Sequence, residues 1–294
     1  MIDSIHIQTV AIIGPGLLGG SLARAIKAFT PSLNVHLWGR REAPLQVAQK
    51  MQAADLYTTD LNEAIKGSDL VVLATPVGVM TSLLEKVDLD LLREALVTDV
   101  GSVKESVHRH VGAFLSRNNV AFIGSHPMAG SEKQGMEYTD PNLFRGATVV
   151  LTNEEECSSA LLQQLTLFWE SVGSHVVSMG ATTHDQTVAR ISHMPHVLAS
   201  LCAQVAGADG QPLLERSELA STGFRDTTRV SMGNPEMWAE ILLENSSASL
   251  LALDDASRLL DEVKKSLESG DKETLVAWLK KGRNVRKEIL QGRL

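Results

Sequence analysis

The sequence predicts an α/β domain built on a doubly wound parallel sheet, followed by an all-α domain. Two features of the pattern carry this. Short β-branched runs alternate with amphipathic stretches through the first 180 residues, and beyond Thr182 the strand-like runs stop while helical periodicity continues. Such alternation implies parallel pairing through right-handed crossovers. A length of 294 residues suits two domains, here 1–180 and 181–294.

In chain order, strands are expected at Thr9–Ile13, Asn34–Trp38, Leu70–Ala74, Leu96–Asp99, Ala121–Gly124 and Thr148–Leu151. Helical patterns fall between them over Leu17–Ala28, Arg41–Ala53, Val79–Val87 and Lys104–Ser116. A helix near Glu154–Val172 and a strand at Ser174–Ser178 complete the unit. In the second half Val188, Ile191, Met194 and Leu198 recur at helical spacing with Pro195 among them, so a kink or break is expected there. Helical runs follow over Trp238–Ala252, through Leu259, Leu260, Val263 and Leu267, and through Leu275, Trp278 and Leu279. Between the last two, Ser269-Gly270-Asp271 reads as a helix stop and a new N-cap. Many of these helices are apolar on more than one face, which predicts a homodimer through this half.

Composition narrows the function. Hydrophobic residues make up 44% and charged residues 21%, the mix of a chain with real cores. A net charge of −8 opposes binding to a phosphate backbone, so nucleic acid is not an expected partner. Cys157 and Cys202 have no metal-like spacing, and no metal is expected. The opening MIDSIHIQTVAII lacks a basic n-region, and no apolar run is long enough for a bilayer. A cytoplasmic protein with no membrane partner is the expectation.

Strand Thr9–Ile13 runs into GPGLLGGS, Gly14 to Ser21, a G-x-G-x-x-G turn that opens a helix. In that context Gly14 allows the tight turn, Gly16 lets a pyrophosphate approach the backbone, and Gly19 lets helix and strand pack closely. Leu17 and Leu18 begin the helix whose free N–H groups face the phosphates. An acidic residue for the ribose of NAD belongs roughly 20 residues past the last glycine. That position is Gly39, and Arg40 and Arg41 follow it. Arginine pairs with phosphate, so NADP is favoured over NAD; the alternatives are that both arginines are merely solvated, or that Arg40 stacks on adenine while NAD binds. Thr75 and Pro76, in the ATPV ending the Leu70–Ala74 strand, are further cofactor contacts, because ligands of open sheets sit beyond the carboxyl ends of strands.

The next two strands end in TDVGSVK, Thr98 to Lys104, and GSHPMAGSE, Gly124 to Glu132. Polar residues at neighbouring strand ends converge, which brings Ser102, His126 and Glu132 to one crevice. His126 is the best acid–base candidate: a neutral imidazole takes a hydroxyl proton as hydride leaves, with Ser102 positioning ring or substrate. In the helical half, ARISHMPH places His193 and His196 three apart, on one face if the helix runs on. GFRDTTRV is dense in charge, with Arg225, Asp226 and Arg229. It is either a solvated face or the lining of a cleft where an arginine clamps a carboxylate.

GPGLLGGS, DVGSVK, SHPMAGSE, SHMPH and GFRDTTRV followed by MW and LEN, in this order, resemble the prephenate and arogenate dehydrogenases from about residue 9 to residue 250. The resemblance implies a Rossmann domain followed by a helical dimerisation domain, and an oxidative decarboxylation in tyrosine biosynthesis. It implies that His126 hydrogen-bonds the substrate hydroxyl with Ser102 as its neighbour, and that Arg229 binds a substrate carboxylate. Glu132 and Asp226 match positions that gate access or organise Arg229, Ser131 a substrate or cofactor contact, and His193 and His196 a motif near the substrate. The chain resembles the minimal monofunctional form, and the choice between prephenate and arogenate stays open. Two other readings are weighed. A β-hydroxyacid or imine-type dehydrogenase would carry a lysine or aspartate on the interdomain helix, where this chain has ARISHMPH. A non-catalytic NADP-binding sensor would lose the polar groups facing the nicotinamide, yet Ser102, His126 and Arg229 are present.

Overall fold

Six parallel strands form the first sheet of the computed structural model, which describes residues 6–131, 133–210 and 213–291. They are β1 (Thr9–Ile13), β2 (Asn34–Trp38), β3 (Leu56–Thr58), β4 (Leu70–Leu73), β5 (Leu96–Asp99) and β6 (Ala121–Phe122), in the order β3-β2-β1-β4-β5-β6. Helices cover both faces, so β1 and β4 are continuous runs of buried aliphatic residues without polar alternation. The strand order reverses between β1 and β4, where the carboxyl ends of an open sheet leave a crevice.

Two elements were not expected. β3 is three residues long and is held by its register with β2, His36 opposite Leu56 through Trp38 opposite Thr58. The helix Leu61–Ile65 after it is capped by Asp60, whose carboxylate accepts from the N–H groups of Asn62 and Glu63.

The expected strand Ala121–Gly124 is two strands, which corrects the expectation that parallel pairing runs through the whole first half. Past Ile123 the chain leaves the parallel sheet, and β7 (Gly124–Pro127) pairs antiparallel with β8 (Thr148–Thr152). β9 (His175–Ser178) then pairs parallel with β8. The cause lies in the connections. Among the described residues, 128–147 hold only the short 3-10 turn Met136–Tyr138, too little for a crossover, whereas Ser159–Ser171 provides one between β8 and β9.

Beyond β9 the described chain is helical. Ala181–Val188, Ala189–His193 and Met194–Val205 follow one another without interruption, the middle stretch wound as a π-helix. Pro195 therefore does not break the run; its missing N–H is met by a widened turn just before it. Shorter helices follow at Leu213–Ser217, Thr222–Thr228 and Pro235–Glu244.

The chain forms two compact units that divide between Asn245 and Ser246, so the run expected over Trp238–Ala252 is split there. The second unit pairs Ser246–Ser269 with Lys272–Gln291. The turn between them is as expected, with Gly270 at φ +67° and Asp271 accepting from Thr274 N–H at 3.0 Å. No helix among the described residues is long and apolar enough to cross a membrane.

Candidate active site

The glycine turn has the shape a dinucleotide requires. Gly14 sits at φ +126°, and a Cβ there would lie 2.5 Å from the carbonyl oxygen of Ala74. A Cβ on Gly19 would lie 2.1 Å from the Gly14 oxygen, so both positions are closed to side chains. Gly16 is the opposite case: a Cβ would meet nothing within 4 Å and would project into open space at the helix start. No side chain caps the Leu17–Phe29 helix and no acidic residue lies in its first turn, so its amide groups, Leu17 and Leu18 among them, are left for an anion. Thr75 Oγ1 is buried at the end of β4 without a hydrogen-bond partner, and Pro76 caps the next helix. Glycines that leave room and an orphaned hydroxyl beside them fit a nicotinamide dinucleotide.

Gly39 follows β2, and its N–H donates to the Thr58 carbonyl at 3.2 Å. Arg40 and Arg41 are exposed, and neither makes an ion pair with a described residue. Two cationic side chains with no internal partner thus stand at the end of β2.

His126 lies on β7, buried, opposite Val150 of β8. Its Nδ1 is 2.7 Å from His184 Nε2, and His184 Nδ1 is 2.7 Å from Asp185 Oδ1. Asp185 Oδ1 accepts from the N–H of Lys104 at 2.8 Å, and Oδ2 from the N–H of Glu105 at 2.9 Å. Burial holds the His126 pKa well below its ordinary value, and the neighbouring His184, Lys104 and His193 side chains add to the effect. His126 is thus a neutral base at physiological pH.

Lys104 of DVGSVK is fully buried. Its ammonium pairs with Asp99 at the end of β5 and donates to the Ser125 carbonyl at 2.9 Å. Asp99 in turn accepts from Gly101 N–H at 2.7 Å and Ser125 N–H at 3.1 Å. The pair ties the turn after β5 to the residue preceding His126. Ser102, half-buried on that turn, makes no hydrogen bond with a described residue, so the ring partner of His126 is His184.

His193 and His196 share one face of the continuous helix. The Asn245 amide donates to His193 Nδ1 at 3.2 Å and to the Asp185 carbonyl at 2.9 Å. Burial, with His184 and His196 nearby, brings the His193 pKa down to about 4 against the opposing pull of Asp185. His196 stacks on Trp238 with ring centroids 3.7 Å apart, and its Nδ1 is buried without a partner. The helix bearing Trp238 is fastened to the sheet domain by Glu240, which accepts from Gly78 N–H at 2.7 Å, and by Glu244, which accepts from the Ser106 hydroxyl. Arg229 and Asp226 are exposed and free of ion pairs among the described residues. Ser131 is exposed and accepts from Lys133 N–H, and Glu132 lies outside the described residues.

The sequence reading missed His184, Asp185, Lys104 and Asn245. The available signal was the adjacent His184-Asp185 pair ahead of ARISHMPH, in a stretch otherwise poor in charge.

With this geometry in hand, the comparisons are specific. The nucleotide-binding domain of prephenate dehydrogenase matches residues 22–178, and the dimerization domain of prephenate dehydrogenase matches residues 180–281. The chain belongs to the prephenate dehydrogenase family. It is 32% identical to a cyclohexadienyl dehydrogenase from Zymomonas mobilis over 94% of each chain. The structure of prephenate dehydrogenase from A. aeolicus, in complex with hydroxyphenyl propionate and NAD+, superposes with a TM-score of 0.87 at 29% identity, covering 97% of this chain and 99% of that one. Synechocystis arogenate dehydrogenase gives 0.78 at 29% identity, covering 96% and 99%. Membership of this family of dehydrogenases takes the place of the sensor and imine-type readings.

Proposed function

We propose that this protein oxidises prephenate or arogenate with loss of carbon dioxide, passing hydride to a nicotinamide cofactor. The observation that carries the mechanism is His126: a buried, neutral imidazole whose Nδ1 is occupied, beyond the carboxyl ends of the sheet strands. Its Nε2 takes the proton of the ring hydroxyl as the carbon–hydrogen bond beside it breaks. The carbon–carboxylate bond then supplies the electrons that complete the aromatic ring, and the proton returns to the phenolic oxygen. The cofactor, when bound, accepts the hydride. Because aromatisation drives the step, the protein needs mainly to orient the reactants and accept one proton.

Arg229 binds a substrate carboxylate, supported by its place in GFRDTTRV and a guanidinium that makes no ion pair among the described residues. Asp226 and Glu132 organise that arginine, Ser131 and Ser102 contact substrate or cofactor, and His193 and His196 line the substrate side. NADP is the favoured cofactor. Position 39 has no carboxylate, Arg40 and Arg41 are free for a phosphate, and a Cβ at Gly39 would crowd Pro15 Cγ at 2.9 Å. Residues 1–180 form the cofactor half and 181–294 the substrate half, the latter joining a homodimer in the cytoplasm.

The test is initial rate by nicotinamide absorbance with prephenate and arogenate, each paired with NAD and NADP. Turnover in at least one pairing is expected, with the lower Michaelis constant for NADP. Silence in all four, from folded protein that binds cofactor, would overturn the reading.

A further inference from the structure

The contacts around His126 determine which of its nitrogens carries the proton. Asp185 is buried; burial raises its pKa, but the His184 side chain and the N–H groups of Glu105 and Lys104 outweigh that and hold it below the ordinary range. An ionised carboxylate only accepts hydrogen bonds, so His184 Nδ1, 2.7 Å away, is the protonated nitrogen. In the neutral ring, His184 Nε2 is then an acceptor. It faces His126 Nδ1 at 2.7 Å, so that nitrogen must donate. With a single proton on the His184 ring, the tautomer of His126 compatible with both bonds leaves the lone pair on Nε2. His184 and Asp185 are each 1% exposed, so water does not compete for these bonds.

We propose that His184 and Asp185 are positioning residues that lock His126 in the tautomer whose Nε2 accepts the substrate hydroxyl proton. Asp185 is itself anchored by two backbone N–H groups on the segment that follows Ser102, so the lock is referenced to the turn after β5. When His126 takes the proton, the imidazolium donates through His184 toward the one carboxylate of the cluster. Lys104 opposes that charge, His193 with its pKa at about 4 is neutral beside it, and His184 packs edge-on with ring centroids 5.0 Å apart. The chain of three runs between elements far apart in sequence, with 58 residues separating His126 from His184.

This inference rests on the reading of His126 as the base, and the experiment separates the two. In Asp185→Asn, an amide nitrogen turned toward His184 Nδ1, giving up the bond from the Lys104 N–H, reverses both ring bonds and places the His126 proton on Nε2. Turnover should fall toward that of His126→Asn, by about 100-fold or more, with NADP affinity within about twofold by the scale of an untouched site. Nitrogen-15 NMR of histidine-labelled protein should show Nδ1 of His126 protonated in wild type and Nε2 protonated in the variant. His184→Gln, whose carboxamide oxygen can accept from His126 Nδ1, should keep the wild-type tautomer and more turnover than His184→Leu. Unchanged turnover in Asp185→Asn with the His126 proton moved to Nε2 would overturn the lock. Should that variant not fold, a proton on Nε2 of His126 in wild type overturns it alone. Full turnover in His126→Asn would instead remove the base reading.

Discussion

Lys104→Met is expected to destabilise the protein sharply, because it removes one half of a fully buried ion pair. Lys104 and Asp99 have no exposed side-chain surface, and the ammonium also donates to the Ser125 carbonyl. Methionine fills most of the volume, so the loss is electrostatic rather than a cavity. Breaking a buried pair from one side costs about 3–5 kcal/mol, because a charge is left without its partner. Here Asp99 keeps two backbone donors, Gly101 and Ser125, so the lower end of that range applies. With a urea slope of roughly 3 kcal/mol per molar, the midpoint should move down by about 1 M. The assay is urea denaturation of Lys104→Met, Asp99→Asn and the double variant. The double variant should lose less than the sum of the singles, since removing both charges leaves neither stranded. A loss under about 1 kcal/mol in Lys104→Met, or simple additivity, would refute the reasoning.

Three further outcomes follow from other sites. Gly16→Ala should leave the melting temperature unchanged and weaken cofactor binding by about tenfold or more, as expected when about 1.4 kcal/mol of contact is lost, because its Cβ enters only open space; Gly19→Ala should instead lower the melting temperature, its Cβ meeting the Gly14 carbonyl. A melting temperature that falls equally in both would contradict this. His193 has its pKa lowered from 6.5 to about 4, so below pH 6.5 the unfolded chain binds the extra proton and stability falls as pH drops. Roughly 3 kcal/mol should be lost from this group between pH 6.5 and 4, and urea midpoints of wild type and His193→Gln should converge across that window; parallel curves would count against it. Arg229→Ala should raise the Michaelis constant for the substrate, since a charged hydrogen bond to a carboxylate contributes about 1.5–3 kcal/mol, and an unchanged constant would place the carboxylate elsewhere.

Much of this fold was legible because its signals are local. β1, β2 and β5 begin and end where the β-branched runs do, and the Gly14–Gly19 turn announced its own context. What escaped was set by partners distant in sequence. β3 is only three residues long and exists through its pairing with β2, and the split at Ile123 depends on β8 being available for β7. The candidate site divides in the same way. His126 stood out because it closes a strand inside a recognisable segment. Its partner His184 lies 58 residues on, and nothing in the local pattern ties the two together. Lys104 drew no role from the sequence, where it only opens the expected helix Lys104–Ser116; the fold buries it completely beside Asp99. Asn245 lies inside the helical run expected over Trp238–Ala252, and only the structure shows the helix ending there with its amide bridging His193 and the Asp185 carbonyl.

The most direct test of the mechanism is the pH dependence of kcat/KM in wild type and His126→Asn, under the pairing of substrate and cofactor that wild type uses. Because burial lowers the His126 pKa, the wild-type profile should stay flat to below pH 6.5 and fall only in more acidic solution. His126→Asn should be slower by about 100-fold or more, the scale of a lost acid–base group, and should lack that acidic limb. Wild-type turnover in the variant, or the same limb retained, would contradict the assignment of His126 as the base.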